Sequence, residues 1–339
     1  MSKHIGTQSI RFSSPPYFSA EAAVVGKKEG EGPLRERFDF ISTDSYFGQK
    51  SWEKAESAML KKCYETVLKK SGMKEDDIQY LLAGDLLNQC TGSSFAAKDS
   101  PIPFLGLYGA CSTMGESLSI GAMLIDGGFA ENICAMTSSH FCSAERQFRL
   151  PLEYGGQRCP TAQWTATASG AAILSRKGFG PCITHITSGK IIDAGIKESS
   201  NMGAAMAPAA YDTLTAHFKD TGRDPTYYDA IITGDLGRFG HNILADFLSH
   251  DGIKMPKVFT DCGILLYNTP TQDTHCGGSG CGCAASVLCG HIIKCIREGM
   301  WKRVLFAPTG ALMSPVSSMQ GESIPGICHA LAIEMIEDK

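Results

Sequence analysis

Cys111 stands in the sequence Gly-Ala-Cys-Ser-Thr (109–113), between an apolar, strand-like run (102–108) and a long apolar run typical of a helix. Ser112 and Thr113 are residue types that cap free N–H groups at a helix start. A thiol at a helix N-terminus is close to the positive end of the helix dipole, which stabilises the thiolate. The pattern therefore predicts a nucleophilic cysteine. The alternative is a small, buried cysteine that packs where a strand meets a helix.

The elements that position Cys111 follow from apolar periodicity. Residues 52–71 repeat apolar side chains at helical spacing, and Gly72 is placed to end that helix. An apolar run (78–83) leads to Gly84-Asp85, the helix after Cys111 runs to about Asp126, and a third strand covers 132–136. This alternation predicts a parallel sheet with helices. Residues 1–50 are rich in Ser, Pro and Gly, and predict strands and loops draped over the main body.

The second half of the chain repeats the pattern of the first. The sequence AGDLLN at 83–88 corresponds to TGDLGR at 233–238. Residues 116–139 align without a gap to residues 287–310, which lie 171 positions later. Gly128 then corresponds to Gly299, and Cys111 corresponds to Gly282. The repeat indicates two equivalent α/β halves, of which only the first carries a cysteine at this turn.

Composition limits the classes of function. With 339 residues and a net charge of −4, the chain can bury a large core and has no general field that attracts nucleic acid. The first residues lack a continuous apolar segment, and the longest apolar stretch contains Glu116. We therefore expect no signal peptide and no membrane span, and a protein that is soluble or at most peripheral to a membrane.

The 14 cysteines lie mostly within apolar periodic runs, so we expect them to be reduced, buried and intracellular. Cys276, Cys281 and Cys283 lack a Cys-x-x-Cys pair and are surrounded by glycine. Packing in a tight turn is the favoured interpretation of these three, with a metal site as the alternative. No metal site is predicted.

Several of these motifs together resemble the thiolase superfamily. GACST at 109–113 resembles its nucleophile turn, GGSGCGCAAS at 277–286 its second glycine-rich turn, and TASGAAIL at 167–174 the strand that closes the first half. The resemblance implies an α/β fold of duplicated, five-layered αβαβα type. It divides the chain into halves 1–180, with a loop-rich extension at 1–50, and 181–339. It also implies a homodimer formed through the strand of the first half that precedes the domain junction.

Within this superfamily, the motifs FLGLYGACSTMGESL, TSSHFCSAERQFR, EYGGQR and MGAAMAPAA resemble the stage V sporulation AD family of spore-forming Firmicutes. That family serves the machinery that moves dipicolinic acid into the forming spore. The resemblance implies dipicolinic acid as ligand, with calcium only as its chelate and no other cofactor. It implies membrane subunits of the uptake machinery as partners, and a place in the forespore or spore, peripheral to the inner membrane.

The sequence departs from the superfamily where proton transfer is needed. A condensing enzyme of this fold needs a histidine after the strand that corresponds to 228–236 and an asparagine near Gly277. Asp235 stands at or next to the first position, and no asparagine stands at the second. His275 is either a substitute base or a loop histidine. These departures favour a protein that has kept the pocket of the fold and has lost most of the catalytic activity.

Candidate ligand-binding residues are Cys111, Ser138, His140, Arg149, Asp235 and Ser279. His140 is either a pocket residue or a hydrogen-bonded loop residue. Arg149, with Glu145 and Arg146, forms either a solvated charge run or a guanidinium site for a dicarboxylate. Ser279 supplies a hydroxyl beside free amides. For Asp85, the partner of Asp235 in the repeat, an Asx turn is favoured.

Three functions remain open from the sequence. The first is a thiolase-fold protein that binds dipicolinic acid or its calcium chelate without catalysis. The second is an acyltransferase or condensing enzyme with Cys111 as nucleophile and His275 or His140 as base. The third is a structural subunit whose pocket binds nothing.

Overall fold

Strands and helices alternate along most of the chain. The computed structural model describes residues 3–148 and 157–336. The strands are β1 (His4–Ile5), β2 (Ser9–Arg11), β3 (Tyr17–Val25), β4 (Phe40–Ile41), β5 (Tyr80–Gly84), β6 (Phe104–Gly106), β7 (Asn132–Ser139), β8 (Trp164–Thr165), β9 (Ala168–Ser175), β10 (Gly180–Thr187), β11 (Ala230–Gly234), β12 (Val258–Asp261), β13 (Gly278–Ser279), β14 (Arg303–Ala311), β15 (Gly326–Cys328) and β16 (Ala330–Ile336). The helices are α1 (Lys27–Gly30), α2 (Trp52–Ser71), α3 (Thr91–Ala97), α4 (Thr113–Asp126), α5 (Phe141–Phe148), α6 (Met202–Thr221), α7 (Gly237–His250), α8 (Cys262–Leu266), α9 (Thr269–Gln272), α10 (Cys281–Val287), α11 (Ile293–Arg297) and α12 (Pro315–Met319), with a π-helical turn (Leu288–Ile292) between α10 and α11.

A single path of hydrogen-bonded strands runs in the order β12-β11-β14-β16-β10-β3-β9-β7-β5-β6. In the first half, β5 pairs in parallel with β6 and β7, and β9 is antiparallel to β7. In the second half, β11 pairs in parallel with β12 and β14, and β16 is antiparallel to β14. The order β10-β16-β14-β11-β12 thus repeats β3-β9-β7-β5-β6, which confirms the predicted duplicated α/β fold.

Alternate side chains of one strand enter different cores, because successive residues point to opposite faces of a sheet. Leu82 of β5 and Ile232 of β11 share a central core with α4, α10 and α11. Leu81 packs instead against α2, and Ile231 packs against α6 and α7. The layers are therefore α2, first half-sheet, α4 with α10–α11, second half-sheet, and α6–α7. This is the five-layered arrangement that the resemblance implies.

The N-terminal region differs from the prediction. Most of β3 is buried, and it pairs along its length with β9 and through Tyr17 with Cys182 of β10. Small and apolar residues in YFSAEAAVV allow it to occupy the middle of the strand order. Residues 17–25 are thus an integral strand and do not lie draped over the body. Because β3 contacts both halves, the division at residue 180 stays a prediction.

Element boundaries near the site agree closely with the apolar periodicity. Helix α2 spans the predicted residues 52–71 and ends at Gly72, whose φ is 71°. Helix α4 ends at Asp126, as predicted. Strand β6 is shorter than the predicted run 102–108, because only residues 104–106 pair with β5. The cysteines are free thiols and most are buried, as expected. None of the helices in the described ranges is long and apolar enough to cross a membrane.

Candidate functional site

The turn that presents Cys111 is short and strained. Residues 110–112 form a single 3-10 turn before α4, and Ala110 has a φ of 49°, which is unfavourable for a residue with a side chain. The Ser112 hydroxyl donates to the Gly109 carbonyl (2.7 Å), and the Thr113 hydroxyl donates to the Ala110 carbonyl (2.6 Å). Of the two hydroxyls, only that of Thr113 also accepts a hydrogen bond from a backbone N–H, which belongs to Gly109 (3.1 Å). The predicted capping of helical N–H groups by these hydroxyls is wrong, because both side chains close the turn instead.

The Cys111 thiol is buried, and burial raises its pKa to about 12. The Asp235 carboxyl also raises this pKa, while the Ser279 hydroxyl and the N–H groups of Gly280 and Ala311 lower it. The Sγ atom lies 3.6 Å from Ser279 Oγ. The predicted lowering by the helix is therefore outweighed, because removal from water penalises the thiolate more than the helix end stabilises it. At neutral pH the thiol is protonated.

The pocket beside Cys111 is narrow, with a cavity volume of about 40 Å³. This space holds two or three water molecules. The lining residues with polar side chains are Tyr108, Cys111, Glu145, Thr165, Ser199 and Ser279. The apolar lining residues are Leu86, Ala110, Ala144, Phe148, Met202, Ala311 and Met313. No histidine is among the described residues that line it.

Asp235 lies behind this pocket with its carboxyl completely buried. Its φ is 71°, and no described residue makes a hydrogen bond of standard geometry to either carboxyl oxygen. The Cys283 thiol and the Gly280 N–H lie close enough to lower the pKa of this carboxyl. The side chain of Gln163 holds the backbone in place by donating to the Asp235 carbonyl (2.6 Å). Burial and then the nearby Asp261 carboxyl raise the pKa of Asp235 well above its usual value. Burial therefore favours the neutral carboxylic acid over the carboxylate at this position.

Asp261 is a buried residue that the sequence reading missed. It accepts hydrogen bonds from the Thr233 hydroxyl (2.8 Å) and from the N–H groups of Leu236 (3.0 Å), Gly237 (3.0 Å) and Gly263 (2.9 Å). Burial raises the pKa of Asp261 to about 6, although these donors oppose the shift. Its position at the carboxyl end of β12, directly before Cys262-Gly263, was the available sequence signal.

Asp85 forms the predicted Asx turn. One carboxyl oxygen accepts from the Leu87 N–H (2.9 Å), and the other accepts from the N–H and the hydroxyl of Ser93 (both 2.7 Å). This confirms the structural interpretation of Asp85.

Glu56 of α2 is a second missed carboxyl, and it lies next to Asp85. An ideal Cβ at Gly92 would stand 3.2 Å from both Asp85 Oδ2 and Glu56 Oε1. Burial and then the Asp85 charge raise the pKa of Glu56 to about 8, against the hydroxyl donors Ser143 (2.6 Å) and Ser138 (3.2 Å). Two carboxyls so close in a buried site cannot both be ionised without large cost.

The structure does not bring Ser138 and His140 to the described pocket wall. The Ser138 hydroxyl donates to Glu56. His140 Nδ1 accepts from the Cys142 N–H (3.2 Å), so Nε2 carries the proton and donates to the Ser45 carbonyl (2.8 Å). Burial lowers the pKa of His140. This geometry matches the hydrogen-bonded loop alternative, because both ring nitrogens are already engaged.

Neither His275 nor Arg149 is among the described residues that line the pocket. His275 has a φ of 52°, pairs with Asp273 (Nε2 to Oδ1, 3.2 Å), and does not line the pocket. Arg149 lies outside the described residues. Of the neighbouring charges, Glu145 lines the pocket, whereas Arg146 pairs with Glu53.

The second glycine-rich turn carries Ser279 into the site on β13, which pairs with β8. Helix α10 begins at Cys281, whose Sγ lies 2.9 Å from the Ser138 carbonyl oxygen. A Cβ at Gly282 would stand 2.1 Å from the Ala168 carbonyl oxygen. The position that corresponds to Cys111 therefore has no room for a side chain.

Comparison with known proteins gives one family and one fold. A family model described as Stage V sporulation protein AD (SpoVAD) matches residues 6–334. The stage V sporulation protein AD of Bacillus subtilis (strain 168) is 45% identical over 332 residues, which cover 98% of each chain. Among solved structures, 3-oxoacyl-[acyl-carrier-protein] synthase III of Aquifex aeolicus VF5 has a TM-score of 0.57 at 12% identity and covers 94% of this chain and 99% of its own. OleA of Xanthomonas campestris has a TM-score of 0.59 at 14% identity and covers 96% and 97%. The two structural matches support a thiolase-like fold, and at this identity they support nothing finer.

Proposed function

Because the chain belongs to the stage V sporulation protein AD family and has a thiolase-like fold, we propose that it binds dipicolinic acid, or its calcium chelate, beside Cys111. In this proposal the protein serves uptake of that ligand into the developing spore and does not complete a condensation reaction.

The observation that carries the proposal is a set of neutral hydrogen-bond donors at Cys111, with no histidine among the described residues that line the pocket. Burial keeps the Cys111 thiol protonated, and Ser279 adds a hydroxyl. Burial also favours the neutral form of Asp235, which lies near the thiol. Neutral donors stabilise a bound carboxylate without like-charge repulsion. A cysteine nucleophile in contrast needs a nearby base to remove its proton.

The ligand must enlarge the pocket as it binds, because about 40 Å³ does not hold a pyridine ring with two carboxylates. Met202 and Met313 line the cavity and are unbranched, so they can repack around a ring at small cost. The pocket also contains Tyr108 and Phe148, which offer aromatic faces to the ring. In the proposed complex, Arg149, one residue beyond α5, pairs with a ligand carboxylate.

Isothermal titration of the purified chain with dipicolinate, with and without calcium, tests the proposal. We expect saturable heat, and about tenfold weaker binding for Cys111→Ala and for Ser279→Ala, since each removes one donor. Cys142→Ala is the matched control, because Cys142 lies outside the pocket wall. Absence of heat at millimolar ligand in both conditions would contradict the proposal and favour the structural subunit.

One observation favours the acyltransferase or condensing enzyme as a second candidate. The N–H groups of Gly280 and Ala311 both interact with the Cys111 thiol. Backbone donors that face a thiol stabilise its thiolate, which is the nucleophile that acyl transfer needs. Intact-mass spectrometry after incubation with acyl-coenzyme A thioesters decides between the candidates. An acyl adduct that is absent from Cys111→Ser would establish the enzyme.

We propose a homodimer and membrane subunits of the uptake machinery as partners, with the protein in the forespore or spore. The strand that precedes the domain junction, β9, has no free edge for sheet pairing with a second copy, because β3 and β7 pair with its two edges. Strand β6 ends the strand path, and no described strand pairs with its outer edge. Leu105 and Tyr108 are more than two-fifths exposed along this edge, which supports it as the dimer contact.

A further inference from the structure

Two buried carboxyls lie behind the pocket wall and are not used by the proposed binding site. Glu56 of α2 is 1% exposed, and Asp85, which follows β5, is fully buried. An ideal Cβ at Gly92 would stand 3.2 Å from one oxygen of each carboxyl, so the two side chains face the same point. Neither carboxyl forms an ion pair within the described ranges.

Each carboxyl is hydrogen-bonded to a different part of the pocket wall. Glu56 accepts from the hydroxyl of Ser143 (2.6 Å) in α5, a helix that contributes three residues to the wall. Asp85 accepts from the Leu87 N–H (2.9 Å), which fixes the turn around the wall residue Leu86. The pair of carboxyls therefore lies where α5 and the turn after β5 come together.

The hydrogen bonds indicate which carboxyl carries a proton. Asp85 accepts from two backbone N–H groups and one hydroxyl, and a backbone N–H can only donate, so it stabilises the carboxylate. Glu56 has the hydroxyls of Ser138 and Ser143 as partners, and a hydroxyl can also accept from a carboxylic acid. Burial raises the pKa of both carboxyls, but the backbone donors oppose the shift at Asp85. Asp85 is therefore the ionised member of the pair, and Glu56 holds the proton.

The other titratable groups around the pair do not offer it a free cation. From α2, the charge of Glu53 adds to the raised pKa of the buried glutamate, and Glu53 itself pairs with Arg146 of α5. From α10, burial and then the neighbouring acidic groups raise the pKa of the Cys281 thiol. His140, after β7, has both ring nitrogens engaged, and burial lowers its pKa. Glu145 of α5 lines the pocket. Loss of the glutamate proton would therefore leave two carboxylates facing each other in a buried site.

We propose that the proton on Glu56 holds α5 against the turn after β5, and that an anionic ligand beside Cys111 binds only while this proton is present. The part about the ligand rests on the proposed function. Ionisation of Glu56 sets two like charges against each other away from water, which pushes the two parts of the wall apart. It also adds a negative charge behind the ligand. Glu56 is thus a positioning residue, since it acts on the ligand through the wall.

Hydrogen–deuterium exchange tests the wall without any ligand. After correction for the intrinsic pH dependence of exchange, amides of α5 and of residues 85–93 should exchange at least about threefold faster at pH 9 than at pH 7. Glu56→Gln, whose amide does not ionise, should show no such increase. Ser143→Ala should reduce the increase in α5 but keep it in residues 85–93, because it removes only the hydrogen bond between Glu56 and α5. The same increase in Glu56→Gln as in the parent would overturn the proposal.

Isothermal titration with dipicolinate tests the link to the ligand. Between pH 7 and pH 9 both ligand carboxylates stay ionised and the Cys111 thiol stays protonated. If binding needs one proton on a group with a pKa of about 8, affinity should fall about tenfold over this range in the parent. In Glu56→Gln it should fall less than about twofold. Glu116→Gln is the matched control, because Glu116 is a partly buried carboxyl outside the pocket wall, and it should keep the tenfold fall.

The two experiments separate the role of Glu56 from the proposed function. Absence of dipicolinate heat from the parent at pH 7 would contradict the proposed function, and the exchange experiment would still decide whether the proton holds the wall. Dipicolinate binding with an equal fall in the parent and in Glu56→Gln would assign the pH dependence to another group, such as Asp235. That result would contradict the role of Glu56 and leave the proposed function standing.

Discussion

The two Gly-Asp-Leu turns occupy equivalent positions in the two halves, yet their aspartates have opposite environments. Asp85 accepts three hydrogen bonds, from Leu87 and Ser93. Asp235 is equally buried, but no described residue donates to its carboxyl with standard geometry, and only the Cys283 thiol and the Gly280 N–H lie close enough to lower its pKa. In the second half, the N–H groups of Leu236 and Gly237 in this turn donate hydrogen bonds to Asp261 and not to Asp235. Because Asp261 of the neighbouring strand β12 accepts these hydrogen bonds, Asp235 is not needed to stabilise its own turn, and its carboxyl lies near Cys111.

The aspartates of a repeated motif therefore need not have the same role in both halves. An aspartate is structural where the backbone donors of its own turn reach it, and it becomes a site residue where another group satisfies those donors.

Asp85→Ala should be the most damaging substitution in either turn. It leaves the N–H groups of Leu87 and Ser93 buried without partners, and each such loss costs about 1–3 kcal/mol. We expect the free energy of unfolding, measured in urea, to fall by about 3–5 kcal/mol. A loss below about 1 kcal/mol would show that the Asx turn does not stabilise the fold.

Gly282→Ala tests why the second half has no counterpart of Cys111. Alanine normally favours a helix over glycine, but here its Cβ would meet the Ala168 carbonyl oxygen at 2.1 Å. We expect a loss of about 3 kcal/mol in urea unfolding, because backbone must move. Gly72→Ala is the control, since nothing lies within 4 Å of its Cβ and only the φ of 71° opposes it, at about 1 kcal/mol. Equal losses would remove the packing explanation.

The thermal stability of the protein should depend on pH through Glu56. Its folded pKa of about 8 is above the ordinary value of 4.5, so the folded state holds a proton that the unfolded state has released between these values. Stability from this group is complete below about pH 4.5 and declines as pH rises toward 8. We expect Tm to fall over this window, measured by calorimetry.

Glu56→Gln is the matched variant, because glutamine mimics the neutral acid and does not titrate. Its Tm should decline less between pH 5 and pH 8 than that of the parent. The same decline in both proteins would assign the pH dependence to other groups.

Asp235→Asn should have the smallest effect on stability. Asparagine is isosteric with the neutral carboxylic acid, no described hydrogen bond of standard geometry is lost, and its amide oxygen can still face the Cys283 thiol and the Gly280 N–H. We expect a change below about 1 kcal/mol in urea unfolding at pH 7. A loss as large as that of Asp85→Ala would mean that the two turns are equivalent after all.

Much of the architecture was predictable because it depends on local patterns. The apolar face of residues 52–71 and the positive-φ Gly72 define α2 to the residue. The offset of 171 in the repeat predicts the duplicated sheet. The central strand β3 was missed, since its small residues and the surrounding Ser and Pro resemble loop sequence.

The site was less predictable, because its properties depend on distant groups. Ser279, 168 residues away, is the hydrogen-bond partner of Cys111. Glu56 and Asp261 were missed because no local pattern marks them as carboxyls buried beside others. His140 was a candidate by position at a strand end, but both of its ring nitrogens are engaged by Ser45 and Cys142.

The sequence alone determined the α/β duplication, the turn that holds Cys111 and the asymmetry between Cys111 and Gly282, since these follow from residue type and spacing along the chain. Only the tertiary structure decided the charge states. Whether the Cys111 thiol is nucleophilic depends on its loss of water and on Asp235, Ser279 and the Gly280 amide, which come from the other half. The pKa of a buried group depends on desolvation and on contacts with residues distant in sequence, and a local stretch of sequence predicts neither.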